Sequence, residues 1–271
     1  MSQENDYVLG THDAELTRLG LQHRIWRPHA SAAWKRAGIT LGHRVLDVGC
    51  GPGYAALDLA ELTGPDGRVI AVDRSRRFLE ALEASASARS IGNIETHELD
   101  LDEHELPSAS VDAAWSRWVY AFVRHPEALL DKVLARVRPG GVLVMHEYID
   151  YRAWRVSPRQ PAFERFVEQV IESWREHGGE PDVGLDLPRW LTLRGCRSVE
   201  TRTIGEIAEP GDPLWAWPDA FVEVGLARLV ELGRVSAEEA SSVRSAWAST
   251  ASTPGAFVIT PTVIEVIARR D

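Results

Sequence analysis

The sequence is poor in several features that would point to particular chemistries. Cysteine occurs twice in 271 residues, at Cys50 and Cys196, so no disulfide framework organises the fold and a reducing compartment is expected. No apolar run approaches the roughly 20 residues of a membrane span. The opening Met1-Ser2-Gln3-Glu4-Asn5-Asp6 is acidic and polar, unlike a signal or transit peptide. The expected location is the cytoplasm, with no membrane partner. Basic runs extend no further than Arg74-Ser75-Arg76-Arg77, which reads as the solvated first turn of a helix. Thirty basic against 40 acidic residues give a net charge of −10, which opposes holding a phosphate backbone over a large surface. A nucleic-acid partner is therefore disfavoured. The chain also lacks a G-x-S-x-G elbow, a G-x-x-x-x-G-K-[ST] loop and the spacings of zinc sites. Histidines outside the segment after strand five are scattered, so no metal is expected.

What is present is centred on Val45-Leu46-Asp47-Val48-Gly49-Cys50-Gly51-Pro52-Gly53. An apolar strand runs into a glycine-rich turn, and the helical run Tyr54 to Leu62 follows. This is the opening of a βαβ unit, where glycine lets a ligand approach the backbone closely. The glycines are spaced G-x-G-x-G, and Tyr54 stands where a dinucleotide fingerprint would have its third glycine. Asp47 at the strand end would repel a pyrophosphate but suits an ammonium or a sulfonium. A nucleotide-like ligand carrying positive charge is the natural reading.

Strand and helix signals alternate through the next hundred residues, as a doubly wound α/β sheet requires. Strands are expected at Arg44 to Val48, Arg68 to Val72 with Asp73 at its end, Asn93 to Leu99, Val111 to Ser116 and Val142 to His146. Arg138-Pro139-Gly140-Gly141 reads as a break between a helix and strand five. Before this region, helical spacing from Asp13 to Trp26 is interrupted at Pro28, and a second helix is expected from His29 to Ala37. After it come an amphipathic helix through Phe163 and Trp174, a shorter helix ending at Gly195, and strand six at Arg197 to Ile207. A helical pair follows, the second opened by the capping box Ser236-Ala237-Glu238-Glu239, and Val263 to Ala268 is the last strand.

Asp47-x-Gly49-x-Gly51-x-Gly53, Asp73, Asp100 at the end of strand three and the Pro139-Gly140-Gly141 turn together resemble the ordered motifs of class I S-adenosylmethionine-dependent methyltransferases. The likeness covers about residues 40 to 150 and is closest to enzymes that methylate small molecules. It implies a Rossmann-like α/β fold: a doubly wound, mostly parallel sheet of seven strands, the last antiparallel, with N-terminal helices and helical cap insertions. The corresponding organisation is residues 1–40 as a helical lid, 41–150 as the cofactor-binding core, 151–195 as cap helices after strand five, and 196–271 as strands six and seven with the inserted pair. The implied cofactor is S-adenosylmethionine, with S-adenosylhomocysteine as product. Gly49, Cys50, Gly51 and Gly53 would face the methionine moiety, Asp73 the ribose with Arg74 beside it, and Asp100 the adenine with Leu101 against the ring. Asp102 competes for the adenine role, and Asp73 read alone is equally a strand-end acid or a helix cap. Ser116 opens the segment that in this family touches cofactor and acceptor. If residues 1–40 form a lid, Tyr7 and Gln22 could reach the methionine carboxylate or amine.

A sulfonium leaving group needs neither an acid nor a metal, so positioning and exclusion of water carry much of such a reaction. An acceptor hydroxyl or ammonium must still lose a proton. His146, at the ligand edge of strand five, reads either as that base or as a hydrogen-bonded strand-end histidine. Trp118, Tyr120, Tyr148 and Tyr151 read as acceptor-pocket residues, and core packing accounts for them as well. Arg117 could bind an acidic group of the substrate, but pairing with a surface acid is the preferred reading. Ten tryptophans avoid the span from Leu41 to Ser110, so the pocket beyond the cofactor half should be aromatic. The expected partner is a small, apolar or aromatic acceptor, and the chain is a monomer or a homodimer. Two rivals keep the fold: a non-methylating reaction such as cyclisation or decarboxylation with the same cofactor, and a binding protein without turnover. A nicotinamide-linked dehydrogenase is disfavoured by Tyr54.

Overall fold

The structure is a computed structural model that describes residues 13–271. It opens on one continuous helix, α1 (Asp13–Ala37), with Pro28 inside it, where the sequence pattern predicts two helices. Pro28 is exposed, while the buried stripe Trp26, Ala30, Ala33 and Trp34 continues past it. Packing on both sides of the ring thus outweighs a local penalty of about 3 kcal/mol.

The alternating region follows as β1 (Arg44–Val48), α2 (Tyr54–Thr63), β2 (Arg68–Asp73), α3 (Arg76–Ala88), β3 (Ile94–Glu98), β4 (Val111–Arg117), α4 (Pro126–Arg136) and β5 (Val137–Asp150). β1, β2 and β4 are buried along nearly their whole length, as strands covered by helices on both faces must be. β3 carries polar residues and lies at the edge. β5 is longer than expected because Arg138-Pro139-Gly140-Gly141 does not end an element. The pairing with β4 jumps from Val111↔Val137 to Ala113↔Val142, so the proline and glycines form a bulge within the strand.

The rest of the chain is β6 (Arg155–Ser157), α5 (Pro161–Glu176), α6 (Leu187–Leu193), β7 (Cys196–Ile204), β8 (Ile207–Ala208), α7 (Ala216–Glu231), α8 (Ala237–Ala251), β9 (Phe257–Ile259) and β10 (Thr262–Arg270). Seven strands form one sheet in the order β3-β2-β1-β4-β5-β10-β7. β10 runs antiparallel to both its neighbours and the pairs from β3 to β5 are parallel, which is the Rossmann-like mixed sheet the motifs imply. A small second sheet, β6-β9-β8, has no counterpart in the sequence reading. Its strands are two or three residues long, too short to show a period.

Three apolar clusters hold these layers. One joins α1, α2 and α3 to the sheet through Trp34, Leu57, Leu79 and Trp115; a second joins α4 and α6 to the opposite face through Leu130, Val133 and Trp190. The third lies beyond the sheet edge and unites Trp26 of α1 with α5, α7 and α8. Seven tryptophans fall in this third cluster: Trp26, Trp118, Trp154, Trp174, Trp215, Trp217 and Trp247. Among the described residues, no helix is long and apolar enough to cross a membrane.

Because Pro28 withholds a helical hydrogen bond on an exposed face, Pro28→Ala should raise unfolding free energy by about 1–3 kcal/mol. Urea denaturation measures this; a loss of stability would show that the bend itself is required to seat α1 in two clusters at once.

Candidate functional site

A cavity of about 480 Å³ opens at the carboxyl ends of the central strands, where a sheet whose order reverses leaves a crevice. Its floor is the β1–α2 turn. Gly49, Gly51 and Gly53 all have positive φ, at 64°, 54° and 79°. A Cβ on Gly53 would lie 2.3 Å from Leu82 Cδ1 and one on Gly49 2.7 Å from Val119 Cγ2, whereas one on Gly51 would meet nothing within 4 Å. Gly49 and Gly53 therefore serve packing, and Gly51 keeps an open approach to the backbone.

The turn is tied to β2 by two bonds: the Cys50 amide donates to the Val72 carbonyl at 2.9 Å, and the Gly51 amide to Asp73 Oδ2 at 2.8 Å. Asp73 Oδ1 also accepts from the Ser75 amide at 2.9 Å. Burial raises the Asp73 carboxyl against these donors. At the end of β3, Asp100 Oδ1 accepts from the Asp102 amide at 2.9 Å. Asp102 is engaged elsewhere, its carboxylate accepting from the Arg124 amide at 3.0 Å and the His125 amide at 3.1 Å. Asp100 is thus the acid with a freer carboxylate, and both line the cavity.

Asp47 is 2% exposed, and its Oδ2 has no hydrogen-bond partner. Burial pushes its carboxyl up to about 8, opposed by nearby Arg117 and reinforced by Asp73. Arg117, the last residue of β4, shares the cavity wall. Burial lowers its guanidinium to about 10, so it is charged at neutral pH. The sequence reading as a surface pair is corrected: Arg117 lines the cavity, its Nη2 3.2 Å from His23 Nδ1, with Asp47 as the main charge acting on it. Trp118 follows with φ 53°, a left-handed conformation that costs a non-glycine residue about 1–3 kcal/mol. It is held by stacking on Tyr148 at 5.2 Å and Trp217 at 5.6 Å, and its amide donates to the His146 carbonyl at 2.9 Å.

The outer wall is aromatic: Trp118 and Phe122 from the segment after β4, Tyr148 of β5, Trp174 of α5 and Phe221 of α7 line the cavity. Asp47, Gly49, Cys50, Gly51, Asp73, Arg74, Asp100, Leu101 and Gln22 line the same space, so nine residues singled out for cofactor contact converge there. Gln22 uses its Oε1 to accept from Arg18 at 2.9 Å and from Trp217 Nε1 at 3.1 Å. The Cys50 thiol is buried and pushed well above its ordinary range, which leaves it unreactive.

Other expected residues do not reach the cavity. Ser116 is buried on the sheet face opposite Trp115 and Arg117, by the strand's alternation. Gly53 is covered by Leu82. Tyr120 and Tyr151 are buried at 1% and 2% exposure, Tyr120 near Glu147 and Tyr151 among Tyr148, Trp154 and Trp174. His146 is fully buried, edge-on to Trp115 at 4.9 Å, with Nε2 3.4 Å from Glu265 Oε2. Burial lowers it to about 4, so it is neutral and sealed beneath the site. Tyr7 lies outside the described residues.

Sequence reasoning missed Arg18, Tyr54, Trp174, His177 and Phe221 as lining residues. Tyr54, read only as a missing glycine, donates its hydroxyl to the Leu16 carbonyl at 3.1 Å and so ties the turn to α1. Arg117 had a signal that could have been weighted more: it sits at the carboxyl end of a central parallel strand, where ligands bind. Among the described residues, no group of three His, Cys, Asp or Glu side chains could hold a metal ion.

Comparison with known proteins gives the same picture. A family model described as a methyltransferase domain matches residues 45–141. The chain is 38% identical over 139 residues to an uncharacterised 37.1 kDa transposon protein of Streptomyces fradiae, covering 48% of this chain and 38% of that one. It is 28% identical over 130 residues to the ubiquinone/menaquinone biosynthesis C-methyltransferase of Pseudomonas putida, covering 48% and 50%. The chain therefore spans half or less of the length of these curated relatives. Among solved structures, Haemonchus contortus phosphoethanolamine N-methyltransferase 2, with S-adenosylhomocysteine bound, superposes with a TM-score of 0.58 at 17% identity, over 94% of this chain and 57% of that one.

The buried His146 makes a prediction about stability. An unfolded histidine binds its proton near 6.5, the folded one only near 4. Between these values the unfolded state binds more protons, so this contribution is intact above about pH 6.5 and is lost as pH falls toward 4, by about 3 kcal/mol in all. His146→Gln should flatten the acid limb of a urea-denaturation pH series by that order. An unchanged limb would show that His146 binds its proton equally well in the folded and the unfolded protein.

Proposed function

We propose, for a chain whose residues 45–141 belong to the class I S-adenosylmethionine-dependent methyltransferases and whose cofactor is S-adenosylmethionine, that it transfers a methyl group to an oxygen, nitrogen or carbon atom of a small, apolar or aromatic molecule. The observation that carries this reading is the shared cavity. It joins the glycine turn, Asp47, Asp73 and Asp100 to an aromatic wall of Trp118, Phe122, Tyr148, Trp174 and Phe221 without an intervening partition.

The residues fit the cofactor on two features of the structure, the unpartnered Asp47 Oδ2 and the open space above Gly51. In this reading Asp47 receives the ammonium, Asp73 the ribose hydroxyls and Asp100 the adenine amine, while Leu101 lies against the ring. When bound, the cofactor supplies an electrophilic methyl on a sulfonium. The chain's own task is to hold the acceptor in line and exclude water. α1, the cap helix α5 and α7 of the inserted pair do this by closing the aromatic wall over the sheet edge, which extends the role proposed for residues 1–40 and 151–195 to the helical pair within residues 196–271. A rigid aromatic surface also favours a cationic centre through its ring faces.

Where the acceptor must lose a proton, we assign that step to His177 in place of His146. His177 lines the cavity, and its Nδ1 lies 2.6 Å from the Ser173 carbonyl. A carbonyl only accepts, so Nδ1 carries the hydrogen and Nε2 keeps the lone pair. His177→Gln should lower kcat by about 10- to 100-fold with cofactor affinity unchanged; an unaltered kcat removes His177 from the reaction.

The reading as a whole is tested by following S-adenosylhomocysteine formation with a panel of small aromatic acceptors. Tight cofactor binding with an acceptor consumed and no S-adenosylhomocysteine formed would favour the non-methylating rival. Cofactor binding also has an expected pH signature. Below pH 8 the Asp47 carboxyl holds a proton that it must give up to meet an ammonium, so affinity should strengthen with rising pH, by up to about tenfold per unit, and level off above 8. Calorimetry in buffers of different ionisation enthalpy should register a released proton at pH 7, and Asp47→Asn should abolish it. A pH-independent affinity between 6 and 8 would refute the ammonium role of Asp47.

A further inference from the structure

Arg117 and Asp47 share more than a cavity. Each has one buried polar atom without a hydrogen-bond partner, Nη1 of Arg117 and Oδ2 of Asp47. They lie on the same face of adjacent strands, since Asp47 pairs with Trp115 and side chains alternate. Unpaired buried polar groups are costly unless a ligand completes them. A charged guanidinium and a carboxyl that a cation would ionise, facing one space, match a ligand group that carries both signs itself.

The orientation of Arg117 is fixed from behind. Its Nη2 lies 3.2 Å from His23 Nδ1, and His23 Nε2 lies 3.0 Å from Asp58 Oδ2. Asp58 also takes a bond from Arg27 Nε at 2.6 Å, so it is a carboxylate and accepts only. The His23 proton therefore sits on Nε2, and Nδ1 offers its lone pair to the guanidinium. The guanidinium also packs over the rings of Trp118 at 5.3 Å and Trp115 at 6.0 Å. One nitrogen is thus anchored on an acceptor, and Nη1 is a buried donor without a partner on a residue that lines the cavity.

We propose that Arg117, aimed by the Asp58–His23 pair, binds the α-carboxylate of the methionine moiety while Asp47 takes its ammonium. The inference rests on S-adenosylmethionine binding in this cavity as described above. It assigns the carboxylate to a residue of β4 and leaves Gln22, whose oxygen is already engaged, with its amide nitrogen as an auxiliary donor. Arg117 is a binding residue; His23 and Asp58 are positioning residues that act through it.

The test compares two ligands by calorimetry: S-adenosylhomocysteine, and its decarboxylated analogue S-adenosyl-3-thiopropylamine, which keeps the ammonium but has no carboxylate. The wild type should prefer S-adenosylhomocysteine by about 10- to 100-fold, the worth of a charge-assisted carboxylate bond. Arg117→Gln should lose that preference while binding the analogue within about threefold of wild type, a readout that also reports an intact fold. Arg117→Lys, which keeps the charge without the fork, should fall between. His23→Leu should reduce the preference by about three- to tenfold and leave the analogue unaffected, which a merely structural role would not do. If Arg117→Gln keeps the wild-type preference, the carboxylate is held elsewhere and the proposal is overturned, with Arg117 then free to meet an acidic acceptor. If neither ligand binds the wild type, the cofactor-site reading itself fails.

Discussion

The bond from the Gly51 amide to the Asp73 carboxylate is the constraint from which the site follows. Three left-handed glycines would otherwise leave the β1–α2 turn free to adopt many conformations, since glycine loses more backbone entropy on ordering than any other residue. Asp73 removes that freedom by reaching across from the next strand, and the Cys50 amide on the Val72 carbonyl adds a second tie. Asp73 in turn is held by the Ser75 amide at the start of α3. One carboxylate therefore sets the height of the turn, the end of β2 and the entry of the following helix. With these fixed, Asp47 and Asp100 at neighbouring strand ends fall into register around one crevice.

A second organising feature is the way α1 belongs to two cores. Trp34 packs edge-on to Trp115 against the sheet, at 5.2 Å, and Trp26 packs edge-on to Trp118 and Trp217 in the cap, at 5.0 and 5.1 Å. N-terminal to both on the same helix, Arg18 and Gln22 line the cavity and His23 belongs to its supporting network. Cap, sheet and cavity wall are thus joined through one helix. The left-handed Trp118 sits at the junction of these packings and is stabilised there by its stacked neighbours, which is how a strained residue can persist at a functional wall.

Much of this was legible in the sequence, and the reasons differ by residue. The strand-turn-helix at Val45 to Leu62 and the acids at strand ends could be placed because the apolar strands are short, bounded and buried on both faces, so sequence position dictates spatial position. Pro28 misled because local propensity was weighed without the apolar stripe that continues past it. The Pro139-Gly140-Gly141 segment misled because a bulge and a break share the same residue types, and only the register with β4 distinguishes them. Trp174 was seen as part of a helix face but not as a cavity wall, since a helical period shows that a face is buried and not against what. The burial of Tyr120 and Tyr151 depends on which way each chain segment turns after its strand, which no local pattern encodes, whereas the alternation within β4 already places Ser116 on the face opposite Arg117.

His146 shows most clearly why strand-edge position is insufficient for a catalytic role. Its partner across the parallel ladder is Arg117, so both project from the same sheet face, and the longer arginine lies over the cavity while the imidazole stops beneath it. Trp115 closes the space in front of the ring and Glu265, paired also with Arg36, closes the space behind. A base at that depth would have to pass a proton through a tryptophan edge. The sheet faces the cavity with Arg117, Asp47 and Asp73, while Trp118 and Tyr148 at its strand ends share the aromatic wall with Trp174 and Phe221 of the cap. In the proposed reading the cofactor meets the strand ends and the proton acceptor His177 follows α5, so the ligand-binding strand ends can stay close to a shared pattern while the chemistry rests on a segment with no such pattern.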